Sequence, residues 1–305
     1  MTKLQLPRRI RRTHQPRAFT LVELLLVISI IAIVIALVLV SVSQIQNRSR
    51  ALTCLSNQRQ LALANQSYAA DNNGRIVSPR TDSYPPPFSG SRPVGNCWVN
   101  TNNALVNFIE QPKSLENGAL WNYVDANPRA YVSPMDPTGR VRSYSLSAFI
   151  GSGEMSYERR ADDWFDFPDP SSPDSPEGFR DGQFKTVAMS QIPQPSRTLF
   201  SITEEDRLNR QDGQGYNFMG WVIEVRPPTG SGGLWIDTPA LWNKGRVNIS
   251  FLDGSIDAPN IMYEQLSDAM ANNPIGHEVT ETGVRPAYRF MTSILMPGII
   301  RPEIQ

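Results

Sequence analysis

The sequence predicts an α+β fold in which one long N-terminal helix packs against an antiparallel β-sheet head. Residues 19–42 form an apolar run that contains neither proline nor glycine, and residues 43–72 continue without either. Such a stretch favours one long helix. Beyond residue 75, short apolar segments alternate with polar residues and are separated by Pro- and Gly-rich turns. That pattern is typical of antiparallel strands.

The charge of the chain is unevenly distributed. Its 305 residues carry 29 basic and 29 acidic side chains, for a net charge of zero. All the charges in residues 1–18 are basic, six in number, so residues 19–305 carry 23 basic and 29 acidic groups, or −6. An acidic remainder argues against a nucleic-acid partner. Two cysteines and two histidines exclude a disulfide-dense domain and a histidine-rich metal centre, so no cofactor and no metal are expected.

The apolar run is long enough to cross a lipid bilayer. At about 1.5 Å per residue it spans about 36 Å, against a hydrocarbon core of about 30 Å. The basic residues before it predict a cytoplasmic N-terminus and a head on the other side of the membrane. Glu23 lies inside the run, where a lone carboxylate costs about 2.5–3.5 kcal/mol and therefore implies a partner.

Two ordinary interpretations compete for this segment. One is a secretory signal peptide cleaved near Ser41-Val42-Ser43, but its apolar part should be only about 7–15 residues long. The other is a plain signal anchor. Neither explains Glu23, which comes four residues after Phe19, the first residue beyond the basic leader.

The segment RAFTLVELLL resembles the prepilin signature of type IV pilins and type II secretion pseudopilins. The resemblance implies that a prepilin peptidase cuts between Ala18 and Phe19 and that the new amino group of Phe19 is methylated. It also implies that Glu23 pairs with the Phe19 amine of a neighbouring subunit, and that an inner-membrane assembly platform builds the filament. The family usually has glycine where this chain has Ala18.

The predicted organisation of the chain follows the pilin architecture. The segments are a basic leader at 1–18, a membrane and filament-core helix at 19–42, an amphipathic continuation at 43–74 and a periplasmic or extracellular head at 75–305. In the continuation, Leu52, Leu55, Ala62 and Ala69 are expected to face the head. Asn72-Asn73-Gly74 is expected to end the helix.

Within the head, Asp253-Gly254 predicts a tight hairpin turn. Strands are predicted at 142–150, 198–202, 217–225, 246–252 and from Ser255, a helix at 262–271, a proline-rich loop at 79–93 and an acidic insertion at 154–181.

The head is similar to prepilin-type proteins with an H-x9-DG processing-associated domain. The resembling pieces are CLSNQRQLALANQSYAADNNG, YVSPMDP, RSYSLSAFI, PSRTLFSITEED and PALWNKGRVNISFLDGSIDA. Asp253-Gly254 match the Asp-Gly of the motif, but Asn243 stands where the family has histidine. Ser133 replaces the cysteine of a Cys-Pro-x-Asp motif, which is the usual disulfide partner of the cysteine at position 54.

The cysteines leave two alternatives open, a Cys54–Cys97 disulfide or two thiols. Two ligand sites are weaker hypotheses. The acidic insertion suggests a calcium loop, with Asp162, Asp163, Asp166, Asp169 and Asp174. The tryptophans suggest a glycan-stacking surface, although irregular spacing favours core packing; they are Trp98, Trp121, Trp164, Trp221, Trp235 and Trp242.

The sequence predicts no enzyme. His277 is the only histidine beyond the leader, no nucleophile elbow or HExxH motif is present, and the neighbouring carboxylates Glu204 and Glu205 point to opposite faces of a strand. The expected function is therefore a structural pilin-like subunit. The alternative is a membrane-anchored head that binds a ligand such as a glycan and has no filament role.

Overall fold

The computed structural model describes residues 20–79, 81, 97–100, 112–151, 188–205, 220–221, 223, 234–235, 237–261, 277–278 and 285–295. The chain divides into two compact units, Met1–Arg48 and Ser49–Gln305. Several predicted features lie outside the described residues. These are the Ala18–Phe19 junction, most of the proline-rich loop, the acidic insertion with its five aspartates, and the predicted helix at 262–271.

The first element is helix α1, Leu21–Asp71, which confirms the predicted long helix. Among the described residues it is the one helix whose length and composition would allow it to cross a membrane. The side chains that the structure describes in its apolar N-terminal part are all exposed. The helix ends as predicted: Asn73 and Gly74 adopt positive φ, and the Gly74 amide donates to the carbonyl of Ala69 at 2.7 Å.

The head contains a five-stranded antiparallel sheet, and the α+β architecture of pilins fits this combination of helix and sheet. The strands are β1 Tyr144–Leu146, β2 Leu199–Glu205, β4 Thr238–Pro239, β5 Ile249–Phe251 and β6 Ile256–Asp257, and a separate ribbon pairs β3 Leu234–Trp235 with β7 His277–Glu278. The order is β1-β2-β5-β6, with β4 paired to the end of β2.

Each face of the sheet covers its own hydrophobic cluster. One cluster joins α1 to the sheet through Leu61, Tyr144, Leu146 and Phe200. The other is formed by alternate strand residues, such as Ile202 and Ile249, together with the C-terminal helix. Tyr144 and Leu146 pair with Thr203 and Ser201, which alternate with Ile202 along β2, so the two clusters lie on opposite sides of the sheet. A register shift between Leu199 and Ser201 interrupts the alternation at Phe200.

The C-terminal helix α3, Arg285–Leu295, was not predicted from the sequence. Ala287, Met291, Ile294 and Leu295 place it in the second cluster. The only other described α-helix is the short α2, Pro112–Glu116. Connections between the elements include 3-10 turns at Trp121–Val124, Pro128–Tyr131, Met189–Gln191 and Pro195–Arg197.

The expected buried face of α1 was partly wrong. Ala62 and Ala69 are buried, but Leu52 is 67% exposed and Leu55 is only half-buried. The face that meets the head is centred instead on Cys54, Leu61, Asn65 and Tyr68. This face includes buried amide side chains. The prediction considered apolar residues only, and it therefore placed the buried face on a different side of the helix.

Candidate assembly and processing site

A capping box closes the N-terminus of α1. The Thr20 backbone amide and hydroxyl both donate to Glu23 Oε2 at 2.9 Å, and the Glu23 amide donates to Thr20 Oγ1 at 3.2 Å. This reciprocal pattern satisfies amides that the first helical turn leaves without partners. Glu23 therefore has a partner within its own chain, and its Oε1 accepts no hydrogen bond from any described residue.

Amide side chains fasten the second half of α1 to backbone carbonyls of the head. Gln58 is completely buried, donates to the Asn248 carbonyl at 2.9 Å and accepts from the Ser201 hydroxyl at 2.9 Å. Gln66, half-buried, donates to the Leu252 carbonyl at 3.0 Å. A buried amide that loses these partners leaves unsatisfied polar groups, so the contacts fix how helix and strand align.

Two further amides tie the same helix to loops. Asn57 donates to the carbonyls of Arg129 and Val132 at 2.8 and 2.9 Å, and Asn65 accepts from the Val77 amide at 3.0 Å. Sequence reasoning missed all four amides. A signal was nevertheless present, because the dipeptide Asn-Gln occurs at 57–58 and again at 65–66.

The Asp253-Gly254 turn joins β5 to β6 in the predicted hairpin and lies against α1. Asp253 Oδ1 accepts from the amide and hydroxyl of Ser255 at 2.9 and 2.6 Å, which stabilises the turn. Gly254 has a φ of +86°, and a Cβ at this position would lie 3.0 Å from Leu63 Cδ2. The turn therefore needs glycine for both its backbone conformation and its close contact with the helix.

Asn243, at the position of the family histidine, belongs to a second turn. Lys244 and Gly245 both have positive φ, and Asn243 donates from Nδ2 to Asn248 Oδ1 at 2.9 Å. A small depression there is also lined by Ser133. The structure thus brings together Asn243 and Ser133, the two head positions at which the sequence differs from the H-x9-DG pattern that it resembles.

Cys54 and Ser133 both lie near the hydroxyl of Tyr144. The Tyr144 hydroxyl donates to the Cys54 carbonyl at 3.3 Å and lies 3.5 Å from its Sγ. Burial raises the pKa of Tyr144 well above its usual value and Cys54 raises it further, whereas hydrogen bonding with Asn57 and Ser133 lowers it. Cys54 and Ser133 therefore lie around the same phenol.

Cys54 and Cys97 are both buried, and the structure contains two thiols here rather than a Cys54–Cys97 disulfide. Cys97 lies close enough to Tyr68 to contribute to the raised pKa of that phenol, whose main cause is burial. Tyr68 is 14 positions beyond Cys54, or about 21 Å along the helix. A disulfide needs Cα atoms about 4.4–6.8 Å apart, so this geometry does not favour the pairing.

Two described carboxylates of the head, those of Glu204 and Asp136, make hydrogen bonds or ion pairs within the fold. Glu204 is buried and accepts a short hydrogen bond from the Ser145 hydroxyl, whereas Glu205 is half-buried. Asp136 holds Arg140 in an ion pair at 3.0 Å and also accepts from Ser143 at 2.7 Å. No group of three or more metal-ligating side chains occurs in the part of the chain that the structure describes.

The described tryptophans belong mainly to the packing of the head. Trp98 and Trp221 are completely buried, and Trp98 stacks on Tyr131 with 5.8 Å between the ring centroids. Trp121 and Trp242 are half-buried. Buried rings cannot stack on a sugar, so the glycan surface loses Trp98 and Trp221. Trp164 lies outside the described residues, and His277 lies in β7, paired with Trp235 of β3.

Comparison with known proteins gives a match for the N-terminal segment. A search of curated proteins and a search of solved structures each found no match. Residues 14–39 match the family model described as the prokaryotic N-terminal methylation motif. This segment includes the Ala18–Phe19 junction, the Thr20–Glu23 capping box and the beginning of α1. The match supports a subunit of the type IV pilin and pseudopilin class, held by a single apolar helix, and suggests a structural role rather than catalysis.

Proposed function

We propose that this protein is a prepilin-like structural subunit that is processed in the inner membrane and assembled into a type II secretion pseudopilus or a type IV pilus-like filament. The observation that carries the proposal is the methylation motif at residues 14–39, placed at the start of an exposed apolar helix. Motif, helix and head occur in the order that such a subunit requires.

In the first step, the basic leader keeps the N-terminus in the cytoplasm and the head outside. A prepilin peptidase then hydrolyses the amide between Ala18 and Phe19, and the new amine of Phe19 takes a methyl group from an electrophilic methyl donor and loses one proton. The carboxylate of Glu23 and the amine of a neighbouring Phe19 then form an ion pair inside the filament. Such a pair offsets part of the cost of a charge in an apolar environment.

The geometry of Glu23 supports this pairing. Oε2 accepts both hydrogen bonds of the capping box, so Oε1 remains available to a second donor. A carboxylate has about four acceptor positions, and the cap and an intersubunit ion pair are therefore compatible. Other subunits and the assembly platform are the expected partners.

Mass spectrometry of the mature N-terminus in cells of the source organism tests the processing step. We expect methylated Phe19 as the first residue. An uncut Met1 indicates a plain signal anchor and a start at Gln44 indicates a secretory signal peptide, and either result contradicts the proposal.

A pair of substitutions tests the role of Glu23 in assembly. Glu23→Gln keeps a side chain that suits a capping box but removes its charge, whereas Glu23→Ala removes both. We expect both variants to lose filament incorporation, measured as the sheared fraction per mature subunit. Normal incorporation of Glu23→Gln would show that the ion pair is not needed.

A further inference from the structure

We propose that the contact between α1 and the β5–β6 hairpin transmits the pulling force from the helix to the head when a subunit is drawn from the membrane, with Gln58 and Gln66 as positioning residues. This contact is called the helix–hairpin joint. It consists of Gln58, Leu63 and Gln66 on α1, and of Asn248, Leu252 and Gly254 on the hairpin. The inference rests on the proposed function, because only an assembled subunit experiences such a force.

The joint connects one helix to one strand at two matched points. Gln58 and Gln66 are eight residues apart, which is about 12 Å along a helix. Their acceptors, the carbonyls of Asn248 and Leu252, are four residues apart, which is about 13 Å along a strand. Helix and strand therefore run side by side between the two hydrogen bonds.

This arrangement makes the two bonds act together. A force along the helix axis displaces Gln58 and Gln66 by the same amount, so neither bond can break first while the other remains relaxed. A slip of two helical residues, about 3.0 Å along the axis, lengthens hydrogen bonds of 2.9–3.0 Å that run across the axis to about 4.2 Å, which is beyond hydrogen-bond range at both points. Leu63, packed on Gly254, closes the space between helix and turn.

The opposite face of the sheet does not take part in the joint. The cluster beneath α3 contains Met291 and Ile294 but no residue of α1. Substitutions there lower the stability of the head without changing any contact between the pulled helix and the strand. They are therefore matched controls for a loss of stability alone.

The test compares two variants of equal thermal stability in the full-length protein. In Gln58→Met/Gln66→Met, both amide donors are replaced by flexible side chains of similar length. The control is Ile294→Ala or Met291→Ala, chosen so that its melting temperature in detergent matches that of the double variant. For each we measure the sheared filament fraction per mature subunit in cells of the source organism.

We expect the double variant to lose at least about fivefold in assembled fraction, and the control less than about twofold. Equal losses in both would overturn the role of the joint while leaving the proposed function intact. A wild-type protein that is never assembled would overturn both. If the double variant does not fold, the single variant Gln66→Met replaces it, because Gln66 is only half-buried. It is compared with a control of equal melting temperature, and a larger loss of assembled fraction in Gln66→Met supports the role of the joint whereas an equal loss overturns it.

Discussion

Replacing Gly254 with alanine is expected to strain the turn and to push it away from α1. Alanine at a φ of +86° costs about 1–2 kcal/mol on its own. The new Cβ would also lie 3.0 Å from Leu63 Cδ2, so Leu63 or the turn must move. We expect this contact to add about 1–2 kcal/mol, which gives a total loss of about 2–4 kcal/mol.

Gly139→Ala is the matched control for this substitution. Gly139 has a φ of +70°, and no atom lies within 4 Å of the position that a Cβ would occupy, so its replacement reports backbone strain alone. In thermal unfolding of the full-length protein in detergent, about 2–4 °C are lost per kcal/mol for a head of this size. We expect Gly254→Ala to melt about 2–8 °C below Gly139→Ala.

A double-mutant cycle separates the steric contribution. Leu63 is 43% exposed, so Leu63→Ala is expected to cost little in the wild-type protein. In the Gly254→Ala background it removes the contact and should recover about 1 kcal/mol. The reasoning is refuted if Gly254→Ala melts no lower than Gly139→Ala, or if the two substitutions at Gly254 and Leu63 are additive.

Three further substitutions test the interior of the head. Ser133→Cys is expected to form a disulfide with Cys54, which non-reducing mass mapping would detect. Closing a loop of about 80 residues is expected to raise the free energy of unfolding by up to about 4.5 kcal/mol. Two thiols in this variant would contradict the expected proximity of the two side chains. Tyr144→Phe should flatten the alkaline loss of stability in denaturant titrations. Burial raises the pKa of Tyr144 in the folded chain, so above about pH 10 only the phenol of the unfolded chain ionises. The contribution of Tyr144 to the free energy of unfolding is therefore complete below about pH 10 and falls by about 1.4 kcal/mol per pH unit above it. The same pH dependence in Tyr144→Phe and in the wild-type protein would contradict this. Asp136→Asn should lower the free energy of unfolding by about 3 kcal/mol in chemical denaturation, because the Asp136 carboxylate is buried in its ion pair with Arg140. Glu116→Gln breaks an exposed ion pair with Lys113 and should lower it by less than about 0.5 kcal/mol. Equal losses would refute the distinction between buried and exposed pairs.

The features that sequence reasoning predicted correctly are local ones. A run without proline or glycine was enough for α1, and Asn72-Asn73-Gly74 was enough for its end. The hairpin at Asp253-Gly254 followed from turn chemistry, since glycine tolerates the positive φ that the turn needs. Each of these depends on neighbours within a few residues.

The features that were missed depend on distant partners. The buried face of α1 includes Gln58 and Asn65, which bond to the Asn248 carbonyl and the Val77 amide, and such backbone groups leave no residue-specific mark in the sequence. Helix α3 is an amphipathic segment of 11 residues, and a helix this short forms mainly because its apolar side packs on the second cluster. The prepilin-like motif, which matches a family model at residues 14–39, could be recognised from the sequence because it is short and contiguous.

The alignment of Gln58 and Gln66 with one strand also restricts how the length of this helix can change. Deleting one residue between them turns Gln66 by about 100° and removes it from the strand. Inserting seven residues restores its direction but moves it by about 10.5 Å, past Leu252, where the chain has already turned back at Asp253-Gly254. Insertions and deletions are therefore expected in α1 before Gln58 or in the loops of the head, and not between Gln58 and Gln66.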